Sequence, residues 1–174
     1  LSWDLRQKYT KKTKNFILKI SFIVIGKTDA NYLSEGIGIY EKRVQKYTIF
    51  DLQYLPDLKN TANLSIEEQK EREGKNLLKC FAPTDWVVLL DEKGKTFPST
   101  GFATHLQQLF NRNVRHIKFV CGGAYGFSEA VYSRANSLLS LSTMTFSHQL
   151  VRLVFMEQLY RAFTILNNEP YHHE

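Results

Sequence analysis

The segment FVCGGAYGFSEA, Phe119 to Ala130, runs from apolar residues into a loop with three glycines. A backbone that bare of side chains suits a ligand pressed against main-chain atoms, and a nucleotide is the first chemistry to test. The loop reads G-G-x-x-G and follows the fourth apolar run, whereas the first run ends in the lone glycine of IGKTDAN, so the G-x-G-x-x-G dinucleotide fingerprint is not met. KGKT at Lys93 to Thr96 lacks the upstream glycine spacing of a Walker loop. By itself the glycine loop is equally well a tight strand-to-helix turn. Further on, Glu157 and Arg161 stand four residues apart in the order that favours a helix ion pair, worth about 0.3–0.5 kcal/mol on an exposed surface. Each of Arg152 and Arg161 is alternatively suited to grip phosphate bidentately. The closing YHHE reads, by residue type alone, as a frayed terminus. Cys80 and Cys121 lie far apart with no CxxC and no Cys/His cluster, which points to buried free thiols instead of a zinc site or a disulfide framework.

These residues need a scaffold, and the hydrophobic pattern describes one. KISFIVIG is a short apolar run of the kind that forms a buried parallel strand. NYLSEGIGIYEKRVQKY follows with helical spacing, weakened in its middle by Gly36 and Gly38. TIFDLQYL reads as a second strand, and Ser65 with Glu68 forms a capping box that opens a helix from Ile66 to about Phe81. WVVLLD is a third strand with EKGKTF as its turn, and a helix is predicted from Ser99 to Asn111. HIKFVCGG is a fourth strand, Ser128 is placed to N-cap a short helix through Ser137, and LLSLS supplies a fifth strand. The last helix, His148 to Leu166, shows one apolar stripe of Leu150, Val154 and Leu159 and a second of Leu153, Met156, Tyr160 and Phe163. A helix apolar on two sides is expected to pack on the sheet with one and on a second copy with the other. Alternating strands and helices indicate an α/β domain with a mainly parallel sheet of five to six strands and helices on both faces.

Composition bounds the class. At 174 residues the chain supports one domain that buries roughly 70% of its unfolded surface. A hydrophobic content of 43% with 13% aromatics excludes a wholly disordered protein. No apolar run approaches the ~20 residues of a membrane helix, so a soluble, cytoplasmic protein with no membrane partner is expected. The net charge is +6, but residues 1–16 hold Arg6, Lys8, Lys11, Lys12 and Lys14 against Asp4, which leaves only +2 for the rest. We divide the chain into a basic extension, 1–16, disordered or peripheral, and a single domain, 17–174. RNA binding must then come from local clusters, for which Lys93, Lys95, Arg112, Arg115 and Lys118 are candidates.

Five segments carry a more specific signal when taken in order: LLDEKGK, GGAYG, LSTMTFSHQ, EQLYRA and the terminal YH. At these spacings, from Lys19 to the C-terminus, the chain resembles the RlmH branch of the SPOUT methyltransferases. The resemblance implies a C-terminal trefoil knot and a homodimer in which each site is completed by the partner chain. It implies S-adenosyl-L-methionine as cofactor, no metal, and methylation of N3 of a pseudouridine in 23S rRNA within the ribosome. Carried over residue by residue, the cofactor loops are Leu90, then Gly122 and Gly123, then Leu141, Ser142, Thr143, Met144, Thr145 and Phe146. Gly122 and Gly123 are then expected to be bare because the cofactor and a crossing of the chain press on their backbone. Leu141, Met144 and Phe146 would give an apolar wall, a role that overlaps with core packing, and Ser142 or Thr143 would offer hydroxyls. A uridine-type ring nitrogen must lose a proton, and His172 is the first candidate base and Glu157 the second. Tyr171 is suited to stack on a base, and Arg152 and Arg161 to line an RNA-facing mouth. His173 stands where relatives often carry a basic residue. Two competing functions are a ribosome-associated RNA-binding factor that keeps the knot without the chemistry, and a nicotinamide- or nucleotide-binding enzyme that uses the glycine loop.

Overall fold

The computed structural model describes residues 18–112 and 114–172. The expected basic extension and His173 lie outside the described residues. KISFIVI is strand β1 (Lys19–Ile25), buried on both faces as a central parallel strand must be. Helix α1 (Asn31–Val44) follows, then β2 (Ile49–Leu55). Helix α2 (Ile66–Leu78) opens on the capping box: Glu68 N donates to the Ser65 hydroxyl at 3.2 Å and Ser65 N to the Glu68 carboxylate at 2.8 Å. It ends three residues short of Phe81, where Pro83 biases the preceding chain out of helix and Cys80 N and Phe81 N close a tighter last turn onto Leu77 and Leu78.

The expected turn at EKGKTF is a correction. It belongs to β3 (Trp86–Thr96), an eleven-residue strand. Leu90 and Lys95 both pair with Leu139, so the polar residues between them are a bulge inside a continuing strand. Gly94 fits there because the backbone of Leu138 and Leu139 passes within 2.7 Å of where its Cβ would sit. Helix α3 (Ser99–Asn111), β4 (His116–Cys121), α4 (Glu129–Arg134), β5 (Ser137–Ser140) and α5 (Leu150–Leu166) complete the order. Helix α4 stops before Ser137 because Asn136 is drawn onto β3, its N–H donating to Val87 O and its Oδ1 accepting from Val87 N, each at 2.8 Å. Ser128 makes no capping bond. Its hydroxyl is buried without a hydrogen-bond partner, and a Cβ at Gly74 would lie 2.2 Å from it.

All strand pairs are parallel, in the order β2-β1-β4-β3-β5. Side chains of α1, α3 and α5 share one core with the sheet, and those of α2 and α4 share the core on the other face. Phe155 of α5 anchors the first, its ring 4.5 Å from Phe22 and 4.8 Å from Phe119. The buried side of α5 is Arg152, Phe155, Met156, Leu159, Ala162 and Phe163, drawn from both expected stripes, while Leu150, Leu153 and Val154 are half-buried. Helices α1 and α3 flank α5 on either side. Part of its apolar perimeter is therefore covered within one chain, and Leu150, Leu153 and Val154 stay half-buried.

At the N-terminal edge of the sheet lies a polar network. Asp85 pairs with Lys118 Nζ at 2.8 Å and with His116 Nδ1 at 3.1 Å. His116 Nε2 and Asp51 Oδ1 each lie 2.7 Å from the Ser21 hydroxyl, and Asp51 pairs with Lys19 at 3.0 Å. Lys118 is 8% exposed and ion-paired, which removes it from the candidate RNA contacts. Among the described residues, no helix is long and apolar enough to cross a membrane.

Candidate active site

Because the strands are parallel, the bulge within β3 and the turns after β4 and β5 lie at the same edge, opposite the polar network, and there they enclose a cavity of about 600 Å³. Leu90, Gly122, Gly123, Leu141, Ser142, Met144, Thr145 and Phe146 all line it; Thr143 does not. The three expected loops thus meet around one space. Met144 is 75% exposed, so it sits at the mouth and is not a core residue, whereas Leu141 also packs against the main core. The turn is braced by its own hydroxyls: Met144 N donates to Ser142 Oγ at 2.8 Å and Ser140 Oγ donates to Ser142 O at 2.9 Å.

The protein itself already crowds the space beside Gly122 and Gly123. A Cβ on Gly122 would lie 3.1 Å from the Phe127 ring, and one on Gly123 would lie 2.6 Å from a Glu73 carboxylate oxygen. Phe127 belongs to the same loop and Glu73 to α2. The positive φ sits at Gly126, at +79°. Burial, and then the neighbouring Asp57 charge, push the Glu73 carboxyl above its ordinary pKa.

Polar groups not expected at the cofactor site, among them Lys93, expected instead as an RNA contact, complete the wall. Asp91, Glu92 and Lys93 line the cavity from the β3 bulge, Tyr125 from the glycine loop, Glu129 and Tyr132 from α4, and Lys70 from α2. Asp91 accepts from the Tyr132 hydroxyl at 2.5 Å and from Lys93 N at 2.8 Å. The signal for Asp91 to Lys93 is present in LLDEKGK, but a strand ending at Asp91 and a turn from Glu92 separate the three; nothing in the local sequence distinguishes Lys70 from the other lysine of α2. Cys121 lines the floor, its thiol pushed up to about 11 by burial and therefore neutral.

A second cluster forms at the end of α5. Arg161 Nε donates to Glu157 Oε1 at 2.9 Å and Nη2 to the same oxygen at 2.5 Å. Tyr171 folds back, its hydroxyl 3.2 Å from Glu157 Oε1 and 3.3 Å from Tyr40 Oη, with the Arg161 guanidinium 4.9 Å from its ring centroid. Arg161 Nη1 lies 3.4 Å from His172 Nδ1. A guanidinium only donates, so Nδ1 accepts, and in the neutral ring the proton is on Nε2. The terminal YH is accordingly tied down, not frayed. Burial, then the Tyr40 and Glu157 contacts, raise the Tyr171 pKa above the ordinary phenol value, so it is an uncharged phenol. Glu157 also accepts from Gln158 at 2.7 Å, which engages both carboxylate oxygens.

The structure brings Glu157, Arg161, Tyr171 and His172 together but does not place them in the cavity. Val151 is the last cavity-lining residue of α5. Glu157 and Arg161 follow it by roughly 9 and 15 Å along the helix axis at 1.5 Å per residue. Arg152, expected at an RNA-facing mouth, is 1% exposed and faces the protein interior.

Residues 18–172 match the family described as Predicted SPOUT methyltransferase. The chain is 55% identical to the ribosomal RNA large subunit methyltransferase H of Parabacteroides distasonis over 157 residues, which are 90% of this chain and 100% of that protein. It is 54% identical to the protein of the same name from Flavobacterium johnsoniae, again over 90% of this chain and 100% of that one.

Proposed function

We infer the reaction from membership: the chain belongs to the SPOUT methyltransferase family, with relatives named for methylation of large-subunit ribosomal RNA. The protein is a methyltransferase. We propose that it uses S-adenosyl-L-methionine to methylate N3 of a pseudouridine in 23S rRNA on the assembled ribosome, in the cytoplasm and as a homodimer. The observation that carries this reading is the convergence of Leu90, Gly122, Gly123 and the 141–146 turn on one cavity.

The cavity fits such a cofactor. Its volume of about 600 Å³ lies within the roughly 300–1,000 Å³ of small-molecule pockets. Its wall combines apolar Leu90, Leu141 and Phe146 with main-chain groups of the glycine loop and the 141–146 turn. Asp91, Glu92 and Glu129 against Lys70 and Lys93 give it a net negative rim, favourable to a cationic ligand. When bound, the cofactor supplies an electrophilic methyl carbon on a cationic sulfur. The chain's own residues then hold and orient, an effect worth up to roughly 7–11 kcal/mol when the reacting atoms are in near-attack geometry.

The tail cluster handles the base. Tyr171, an uncharged ring already braced by Arg161, stacks on it. With Nδ1 accepting from Arg161, the His172 ring presents Nε2–H as a donor, and Arg161 has further N–H groups. Donated to the carbonyls flanking N3, these hydrogen bonds stabilise the negative charge that appears as the N3 proton leaves to water. Glu157 orients Arg161 and Tyr171. The separation along α5 is bridged by a second copy, whose tail cluster lies over the cavity of the first.

The test is methyl transfer from labelled cofactor to ribosomes that lack the modification. Incorporation at a single large-subunit pseudouridine is expected; none on assembled ribosomes would sink the proposal.

A further inference from the structure

Arg152 is a buried cation that the reaction described above does not use. It is 1% exposed, and no carboxylate pairs with it among the described residues. Five N–H donors of one guanidinium must therefore be satisfied without a counter-charge. Nε donates to His148 O at 3.1 Å, Nη1 to Gly26 O at 3.0 Å and to Thr28 Oγ1 at 3.1 Å, and Nη2 to Ile25 O. The Cys121 thiol is a further partner: the guanidinium contact opposes the upward push of burial on its pKa, and Sγ itself donates to His148 O at 3.6 Å.

These partners come from three separate stretches of chain. Ile25, Gly26 and Thr28 leave the end of β1, Cys121 ends β4 immediately before the glycine loop, and His148 closes the turn that begins at Leu141. Cys121 and His148 both line the cavity, where the end of β4 meets the 141–148 turn. The planar fork of arginine can reach carbonyls in several directions at once, which a lysine ammonium on a single stem cannot reproduce.

We propose that Arg152 is a positioning residue: it locks the 141–148 turn to the ends of β1 and β4 and so fixes the spacing of the two cavity walls before any ligand arrives. The proposal rests on the cofactor reading for its functional consequence but not for its structural one. A turn held in place loses little freedom on binding, so the lock contributes to affinity through pre-organisation.

The experiment compares wild type, Arg152→Lys, Arg152→Gln and Thr28→Val in two measurements. The first is amide hydrogen exchange across residues 141–148 in ligand-free protein. The second is binding of S-adenosylhomocysteine by calorimetry, below the melting temperature of every variant. Arg152→Lys and Arg152→Gln are expected to speed exchange in the turn, and to raise the dissociation constant, each at least about tenfold. Thr28→Val removes one acceptor on the β1 side and leaves both within about twofold. A lower melting temperature with unchanged turn exchange and unchanged affinity would make Arg152 a plain buried brace and overturn the proposal. If the Arg152 variants do not fold, the wild-type Arg152 Nε–H resonance decides: it is expected to be protected from solvent and to shift on titration with S-adenosylhomocysteine, and a fast-exchanging or unmoved signal overturns the proposal. Failure of wild type to bind S-adenosylhomocysteine, with the turn still protected, would count against the cofactor reading alone.

Discussion

At the scale of single residues, Tyr171 shows how little a terminus reveals by itself. Its ring lies 4.7 Å from Tyr160, and its hydroxyl meets Tyr40 and Glu157. The sequence presents four polar or aromatic residues at a chain end, and only the family spacing marks Tyr171 and His172 as candidates. Stacking on a base is worth about 1–3 kcal/mol. Tyr171→Ala is therefore expected to lower methylation of ribosomes by about 10–100-fold while Tyr171→Phe stays within about tenfold, measured as initial rates at saturating cofactor. A second expectation concerns pH. His116 is held below the usual imidazole range, by burial first, with Lys118 and Lys19 adding to it against Asp85 and Asp51. Burial alone would raise the Asp85 and Asp51 pKa values, but Lys118 and the Ala82 N–H at one, and Ser21, Gln53 and Lys19 at the other, outweigh it and hold both carboxyls below their usual range. In all three the unfolded chain binds protons more readily than the folded one. Stability is full above about pH 6.5 and falls on acidification, through His116 first and through the carboxyls below about pH 4. Urea midpoints between pH 7.5 and 5 should fall for wild type, and His116→Gln should flatten that leg; a wild-type midpoint that rises on acidification would contradict the network.

At the scale of elements, long periodic or uniformly apolar segments were legible and short or interrupted ones were not. KISFIVI, the capping box at Ser65 and the Ser99–Asn111 helix need no tertiary information, because burial and local hydrogen bonding agree along each. The β3 bulge failed because EKGK carries turn residues, while the pairing that keeps it extended is with β5, more than forty positions later in the chain. The cavity was legible only in part for the same reason: its polar rim from Asp91 to Lys93 rides on that bulge. The two glycines of α1 separate under the same test. A Cβ on Gly36 would lie 2.9 Å from the Leu153 side chain, whereas one on Gly38 meets nothing within 4 Å. Gly38→Ala should stabilise the protein by about 1 kcal/mol, raising the melting temperature by about 2–4 °C. A fall on thermal unfolding would show that the position is constrained by something outside the protomer.

At the scale of the whole molecule, the gap between the cavity and the tail cluster makes a prediction that a single-chain enzyme would not. Met144 is 75% exposed, so Met144→Arg is tolerated by the fold yet sets a cation at the mouth of a site for a cationic donor. Met144→Arg and Tyr171→Ala are each expected to lose at least about tenfold in activity as homodimers. Mixed dimers join an intact cavity to an intact tail once, so a random mixture recovers about one quarter of wild-type activity; no recovery would argue for a site complete within one chain. The strand order carries a last consequence. β1 with β2, and β3 with β4, are neighbours both in sequence and in the sheet; β1 also waits for β4, and β3 for β5. A nascent chain leaving the ribosome cannot close its sheet until residues past Ser140 have emerged, and α5, which seals the larger core, comes later still. A ribosome must therefore deliver α5 before the larger core can close, and chains released short of it should be cleared by proteases instead of persisting as partly working enzyme.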